Sequence, residues 1–212
     1  NMARLTLECG GNDAAIILPG TDINTKAGDL FWGSFINMGQ TCACAKRLYV
    51  HEDDYNKTVA VLKDLTAKMP IGDGMQEGVV LGPIQNKMQF DKVDSLVEDA
   101  KANGATIITG GSPLGGNGYF YPITLIGDVD NGHKIVDEEQ FGPVLPIIKY
   151  KDIEDAIAKA NDSKAGLGGS VWGDDIPKAT EVASKIEAGT VWINQHGTIH
   201  PMVPFGGIKE SG

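Results

Sequence analysis

The 212-residue sequence predicts an α/β protein, a mostly parallel twisted sheet flanked by helices. Three observations predict it. Short β-branched runs alternate with amphipathic stretches of about 10–15 residues, the pattern of βαβ units. No linker-like segment or internal repeat divides the chain, so residues 1–212 read as one domain. At 42% hydrophobic and 22% charged residues, the composition suits a core that buries roughly 70% of the unfolded surface.

The elements follow in order. Leu5 to Glu8 and Ala14 to Leu18 read as strands. Asp22 caps a helix through Asn37, with Leu30, Phe31, Ser34 and Phe35 on one stripe. Arg47 to His51 is a strand. Asp53 or Asp54 caps the next helix, whose face is Val59, Leu62, Leu65 and Met69. Pro70 to Pro83 is Gly-, Pro- and Asp-rich loop. Gln85 to Asn103 is a helix striped by Val93, Leu96, Val97 and Ala100 and stopped by Gly104. Ala105 to Thr109 is a strand, and the glycine-rich run 110–118 is turn. Strand Val144 to Tyr150, helix Asp152 to Asn161, strand Ser170 to Trp172, helix Pro177 to Glu187 and strand Thr190 to Asn194 complete the series.

Composition excludes several functions. With 18 basic against 28 acidic residues, net charge −10, a nucleic-acid backbone is not a partner. No run approaches the roughly 18 apolar residues of a membrane span. Cys9, Cys42 and Cys44 are an odd set too N-terminal to staple the chain, and Asn1-Met2-Ala3-Arg4 shows no secretory leader. That pattern points to a reduced, cytoplasmic protein. Glycine is out of line at 28 residues, about 13% against a typical ~7%.

The glycines do not form a phosphate loop. There is no G-x-x-x-x-G-K-[ST], and the clusters at 110–118 and 166–169 lack the G-x-G-x-x-G spacing between strand and helix. A zinc site from Cys42, Cys44, His196 and His200 is disfavoured: Cys-x-Cys is tighter than the usual spacer, and both histidines lie in a loop. No metal is expected. Cys42, just past the first helix, stands at a turn expected to open a short helix, whose dipole and N–H groups would stabilise a thiolate and an oxyanion. Taken alone it reads more readily as a buried structural cysteine. Glu8, in Leu7-Glu8-Cys9-Gly10-Gly11, reads as a strand-end carboxylate, a place where active-site groups of parallel sheets collect. Apolar neighbours there would raise its pKa toward general-base use, although such a carboxylate is usually solvated or salt-bridged.

Together these runs say more. Leu7-Glu8-Cys9-Gly10-Gly11 and Phe35-Ile36-Asn37-Met38-Gly39-Gln40-Thr41-Cys42 resemble two signatures of the aldehyde dehydrogenase superfamily. So do Glu138-Glu139-Gln140-Phe141-Gly142-Pro143, Gly189-Thr190-Val191-Trp192-Ile193-Asn194 and Pro204-Phe205-Gly206-Gly207-Ile208-Lys209-Glu210-Ser211-Gly212. The matches keep the family's order along the chain.

The resemblance implies the fold of that family's catalytic domain and a role for each matching residue. Cys42 is the implied nucleophile, forming a thiohemiacetal and then a thioester, and Glu8 the base for hydrolysis. A carboxylate at Glu8 favours the hydrolytic branch over the CoA-acylating one. Asn37 is implied in the geometry of the cysteine loop, and the Cys42 N–H in half of the oxyanion hole. Glu139, Phe141 and Gly10 are implied at the nicotinamide ribose of NAD or NADP, and His196 and Met202 as candidate pocket lining. An aldehyde is the implied substrate, the family's cofactor-binding domain the implied partner, and a homo-oligomer the implied full-length state. Asn12 stands where the first motif usually carries lysine. Cys44 is a second thiol of a kind seen in the family, open to oxidative pairing with Cys42. The family's cofactor domain and C-terminal oligomerisation strand have no counterpart among these residues, so the fragment is expected to form no NADH. The alternative is a folded module that acts only in docking or self-association.

Overall fold

The computed structural model describes Met2, Ala3, Leu5 and residues 7–212. Its strands are β1 (Asp13–Ile17), β2 (Ala45–His51), β3 (Thr106–Thr109), β4 (Thr124–Gly127), β5 (Val144–Tyr150), β6 (Ala165–Gly166), β7 (Gly168–Trp172), β8 (Thr190–Ile193) and β9 (Ile208–Lys209). The helices are α1 (Ile23–Phe35), α2 (Glu52–Ala67), α3 (Lys87–Ala102), α4 (Lys134–Asp137), α5 (Ile153–Asn161) and α6 (Ile176–Ala183). Seven strands form one sheet in the order β3-β4-β5-β2-β1-β7-β8. Its pairings are parallel except β3–β4, and β6 pairs with β9 apart from it.

Side-chain alternation in β1 sorts the core into two layers. Ala15 and Ile17 pack with Leu48, Leu145, Trp172 and residues of α1 and α2. Ala14 and Ile16 pack on the opposite layer with Val144, Val171 and residues of α3, α5 and α6. Both faces of the central strands are therefore dry, which is why they read as continuous apolar runs. Each fully buried isoleucine contributes about 1.5–3 kcal/mol relative to an exposed one.

Helix starts follow their caps. Asp22, Asn86, Asp152 and Asp175 each accept a backbone N–H of the first turn of their helices. At α2 the cap is His51, whose Nδ1 accepts the Asp53 N–H at 3.3 Å, in place of the expected aspartates. Those aspartates fall instead in the first turn, where the dipole favours them.

Several boundaries differ from expectation. Leu5, Leu7 and Glu8 form no strand and are exposed; Thr6 lies outside the described residues. The segment has no place in the sheet, and Cys9 N–H donates instead to Ser211 O at 3.0 Å. α1 stops at Phe35 rather than Asn37, and α6 at Ala183, four residues short of Glu187. β4, four residues long, escaped the sequence reading but closes the sheet between β3 and β5. Among the described residues no helix is long and apolar enough to cross a membrane.

Candidate active site

The sequence-predicted residues gather at the amino ends of neighbouring strands. Cys42 lies just ahead of β2, Glu139 and Phe141 ahead of β5, and Glu8 five residues ahead of β1. This corrects the expectation of a carboxylate at the end of its own strand.

The approach to Cys42 is an unusual turn. Asn37, Met38 and Gly39 have φ of 51°, 61° and 68°. Left-handed backbone costs a non-glycine residue of order 1–3 kcal/mol and persists where its surroundings over-determine it. Here Asn37 Nδ2 donates to Gln40 O at 3.1 Å and Gln40 Nε2 returns a bond to Asn37 O at 3.0 Å. Gln40 Oε1 accepts the Gln85 N–H at 2.8 Å, and Met38 is buried in the α1 layer. A side chain at Gly39 would run into the Gly142 carbonyl.

Thr41 to Cys44 then form a turn, closed by Cys44 N–H to Thr41 O at 3.3 Å, that enters β2 directly. No helix opens at Cys42, so the expected dipole support is absent. The chain leaves the helix at Ile36, whose ψ is 137°, and turns left-handed at Asn37 and Met38 before the cysteine is reached. Cys42 is half-buried against Ala43, Leu167, Trp192 and Phe205. Cys44 is buried, and desolvation pushes its thiol pKa up against the opposing pull of Lys46.

Cys42 and Glu8 line one cleft of ≈ 590 Å³, walled also by Trp32, Asn194, Ile199 and Phe205. Glu8 is exposed, so apolar neighbours do not enclose it. The charged residues lining the cleft are Glu8 and Asp29; no lysine or arginine lines it among the described residues.

Glu139 borders a separate cavity of ≈ 220 Å³ with Gly10, Gly11, Asp137 and Ser211. Its Oε1 accepts the Gly11 N–H at 3.2 Å, and a side chain at Gly10 would collide with its carboxylate. Burial pushes the Glu139 carboxyl pKa up, while Lys46 and the Gly11 N–H pull it down. The structure thus brings Cys42 and Glu8 together and sets Glu139 behind the Gly10–Gly11 ribbon. Phe141 has φ 47°, and Gln89 Nε2 holds its loop through Gln140 O at 2.7 Å and Phe141 O at 3.1 Å.

Lys46 escaped the sequence reading. It is 1% exposed, donates to Gly39 O, and sits 5.2 Å from the centroid of the Phe141 ring. It ties the cysteine turn to the Phe141 loop. Burial lowers its pKa, against Cys44 and Glu139. A lysine inside a strand buried on both faces was the signal that could have found it. Asn12 is likewise buried, donating from Nδ2 to Val136 O at 2.8 Å just ahead of the Glu139 segment.

The two candidate pocket residues fare differently. His196 borders the cleft, but its imidazole is fully buried. Met202 is 83% exposed and lines neither cleft: the chain turns at Val203 N–H to His200 O, which throws it outward. Ile199 and Phe205 take the wall instead.

A family model described as the aldehyde dehydrogenase family matches residues 1–212. An aldehyde dehydrogenase of Davidiella tassiana is 40% identical over 212 residues, all of this chain and 43% of that protein. Human aldehyde dehydrogenase 1A1 is 38% identical, again over all of this chain and 42% of its own length. A crystal structure of betaine aldehyde dehydrogenase from Staphylococcus aureus, with NAD+ and a BME-modified cysteine, superposes with a TM-score of 0.94. It is 35% identical, over 100% of this chain and 44% of that one. The NAD+ complex of a Bacillus cereus aldehyde dehydrogenase gives 0.94 at 36% identity, over 98% and 42%. The chain spans under half the length of these relatives.

Proposed function

The chain belongs to the aldehyde dehydrogenase family, and from that premise we propose that its 212 residues form the catalytic part of an NAD(P)-dependent enzyme oxidising an aldehyde to a carboxylic acid. The observation that carries the reading is the single cleft lined by both Cys42 and Glu8. The Cys42 sulfur adds to the aldehyde carbon, and the Cys42 N–H supports the oxygen that becomes negative. Once a hydride has left that carbon, the acyl group remains on Cys42 as a thioester. Glu8 takes a proton from water, the water oxygen attacks the acyl carbon, and the thiolate departs. Glu8's exposure suits this step, since the base must meet solvent water.

The residues present fit the nicotinamide ribose. Glu139 is a half-buried acceptor with one oxygen on Gly11, and Gly10 leaves space against the other. Phe141 supplies an adjacent ring, and a bound NAD or NADP supplies the hydride acceptor. With no phosphate-cradling glycine motif among the 212 residues, the adenosine half falls to another part of the protein. On this reading the enzyme's cofactor-binding part and a homo-oligomer are its partners, and the fragment alone makes no NADH. Asn37 acts through the turn it braces.

Hydrolysis of nitrophenyl acetate tests the nucleophile without a hydride acceptor. Cys42→Ala is expected to lower the rate about tenfold or more; equal rates overturn the assignment. NADH formation by the 212 residues alone overturns the division of labour. A docking module is the second reading, favoured by exposed Leu5, Leu7, Ile199 and Val203. A folded chain whose ester turnover is nil would support it.

A further inference from the structure

Two buried groups, His196 in the wall of the Cys42 cleft and Asp13 against its imidazole, take no part in the chemistry above. Asp13 and His196 have side chains with 0% exposure, and Asp13 Oδ2 lies 3.4 Å from His196 Nε2. Neither atom has another partner among the described residues. Asp13 Oδ1 accepts the Gly168 N–H at 3.1 Å. On the far side of the ring, His196 Nδ1 is 2.8 Å from Ser170 Oγ, which accepts Trp172 Nε1–H at 2.8 Å.

Proton accounting gives this chain a direction. A buried carboxylate needs donors, so the imidazole presents Nε2–H to Asp13. The Ser170 hydroxyl already accepts from Trp172, and Nδ1 is the acceptor within its reach. Trp172 therefore donates to Ser170, Ser170 to His196, and His196 to Asp13. Serine, histidine and aspartate here do not make a hydrolase: Ser170 is 1% exposed within β7 and cannot reach a substrate.

The surroundings are cut to hold the pair. A Cβ at Gly33 of α1 would lie 2.7 Å from His196 Cβ, and one at Gly168 would strike the Asp13 carboxylate. The Trp192 ring lies 5.1 Å from the imidazole, centroid to centroid, and also packs in the cluster that takes Cys42. His196 belongs to the segment after β8, which supplies Asn194, Gln195, Thr198 and Ile199 to the cleft. Asn194 ties that segment to Gly173 by two bonds, and Trp192 Nε1–H donates to Thr198 O at 2.8 Å.

The geometry points to a positioning site: the Trp172–Ser170–His196–Asp13 relay fixes the aldehyde-side wall of the Cys42 cleft by locking His196 as its Nε2–H tautomer. It rests on the reading of Cys42 as nucleophile for its kinetic consequence, though not for its hydrogen bonds. In Asp13→Asn, the amide oxygen keeps the fixed Gly168 N–H and turns an N–H toward Nε2. Two donors then face each other, and the ring responds by moving its proton to Nδ1, now donating to Ser170.

The experiment is a long-range ¹H–¹⁵N spectrum of the histidine-labelled chain, with His196 assigned by His196→Gln. A single Nε2–H tautomer is expected in the wild type and Nδ1–H in Asp13→Asn. A wild-type ring that averages both tautomers, or an unchanged tautomer in the variant, overturns the relay. The kinetic arm compares nitrophenyl hexanoate with nitrophenyl acetate. The ratio of kcat/KM for the two is expected to move roughly threefold or more in Asp13→Asn and Ser170→Ala, because small displacements of a positioning wall are costly. An unmoved ratio in variants that retain the native fold overturns the positioning role. Should Cys42→Ala keep full ester turnover, the nucleophile reading falls while the spectrum still decides the relay. The wild-type arm does not depend on Asp13→Asn folding.

Discussion

Substituting Gly39 by alanine separates two contributions that meet at one residue. Gly39 has φ +68°, and a Cβ there would collide with the Gly142 carbonyl, a backbone atom that cannot rotate away. Gly20 has φ +74° and nothing within 4 Å of the same position. Left-handed backbone costs an L-residue about 1–2 kcal/mol, partly offset by about 0.4–1 kcal/mol from a less flexible unfolded chain. Gly20→Ala is therefore expected to lose about 1 kcal/mol or less. Gly39→Ala adds the collision, which must open the contact between the cysteine turn and the loop before β5. Overpacking of that kind costs typically 1–3 kcal/mol, for a total of about 1–4 kcal/mol. In a chain of this size each kcal/mol lowers Tm by about 2–4 °C. Urea denaturation supplies the free energies, and iodoacetamide labelling of Cys42, read by mass spectrometry, supplies the local effect. Gly39→Ala should change that labelling rate and Gly20→Ala should leave it alone. Equal losses of stability in the two variants would refute the claim that the turn is wedged against Gly142.

Two further outcomes follow from the charges. A cleft carrying Glu8 and Asp29, with no lysine or arginine among the described residues lining it, repels anionic reagents. Relative to a free cysteine peptide, iodoacetate should therefore label Cys42 more slowly than iodoacetamide, by roughly threefold at low salt, with the gap closing as salt screens it; a gap indifferent to salt and to Glu8→Gln would count against it. Burial raises the Glu139 carboxyl pKa above its ordinary 4.5, so folding disfavours its charged form. The penalty is absent below about pH 4.5, where both states are protonated, and present above the folded value. Glu139→Gln should accordingly gain urea stability over wild type at pH 7 and little at pH 4. A gain that is larger at pH 4 would reverse the sign.

What the sequence disclosed depended on the range of the interaction. Asp22, Asp152 and the run Val144 to Tyr150 were legible because a cap or a buried strand is written in adjacent residues. The four-residue β4 was not, since its place depends on β3 and β5 closing around it. Cys42 and Glu8 came from the motifs around them, yet the helix expected at Cys42 was wrong: two non-glycine residues adopt left-handed backbone that no local preference announces. Asp13 is invisible for a different reason. Its meaning lies in His196, far along the chain, and nothing beside it hints at a partner.

The placement of the site at the leading ends of strands has a consequence for how such a protein can change. Cys42 is followed three residues later by β2, and Phe141 by β5, with no slack in which to absorb an inserted or deleted residue. A one-residue slip there would exchange the two faces of a strand buried on both sides. The segment after β8 instead leaves its strand, and Ile199 and Phe205 lie beyond the residues that the sheet holds in register. Length variation can therefore accumulate on the Ile199 and Phe205 side of the cleft while Cys42 and Glu139 stay fixed. Chain direction alone divides the parts of this site free to diversify from those that are not.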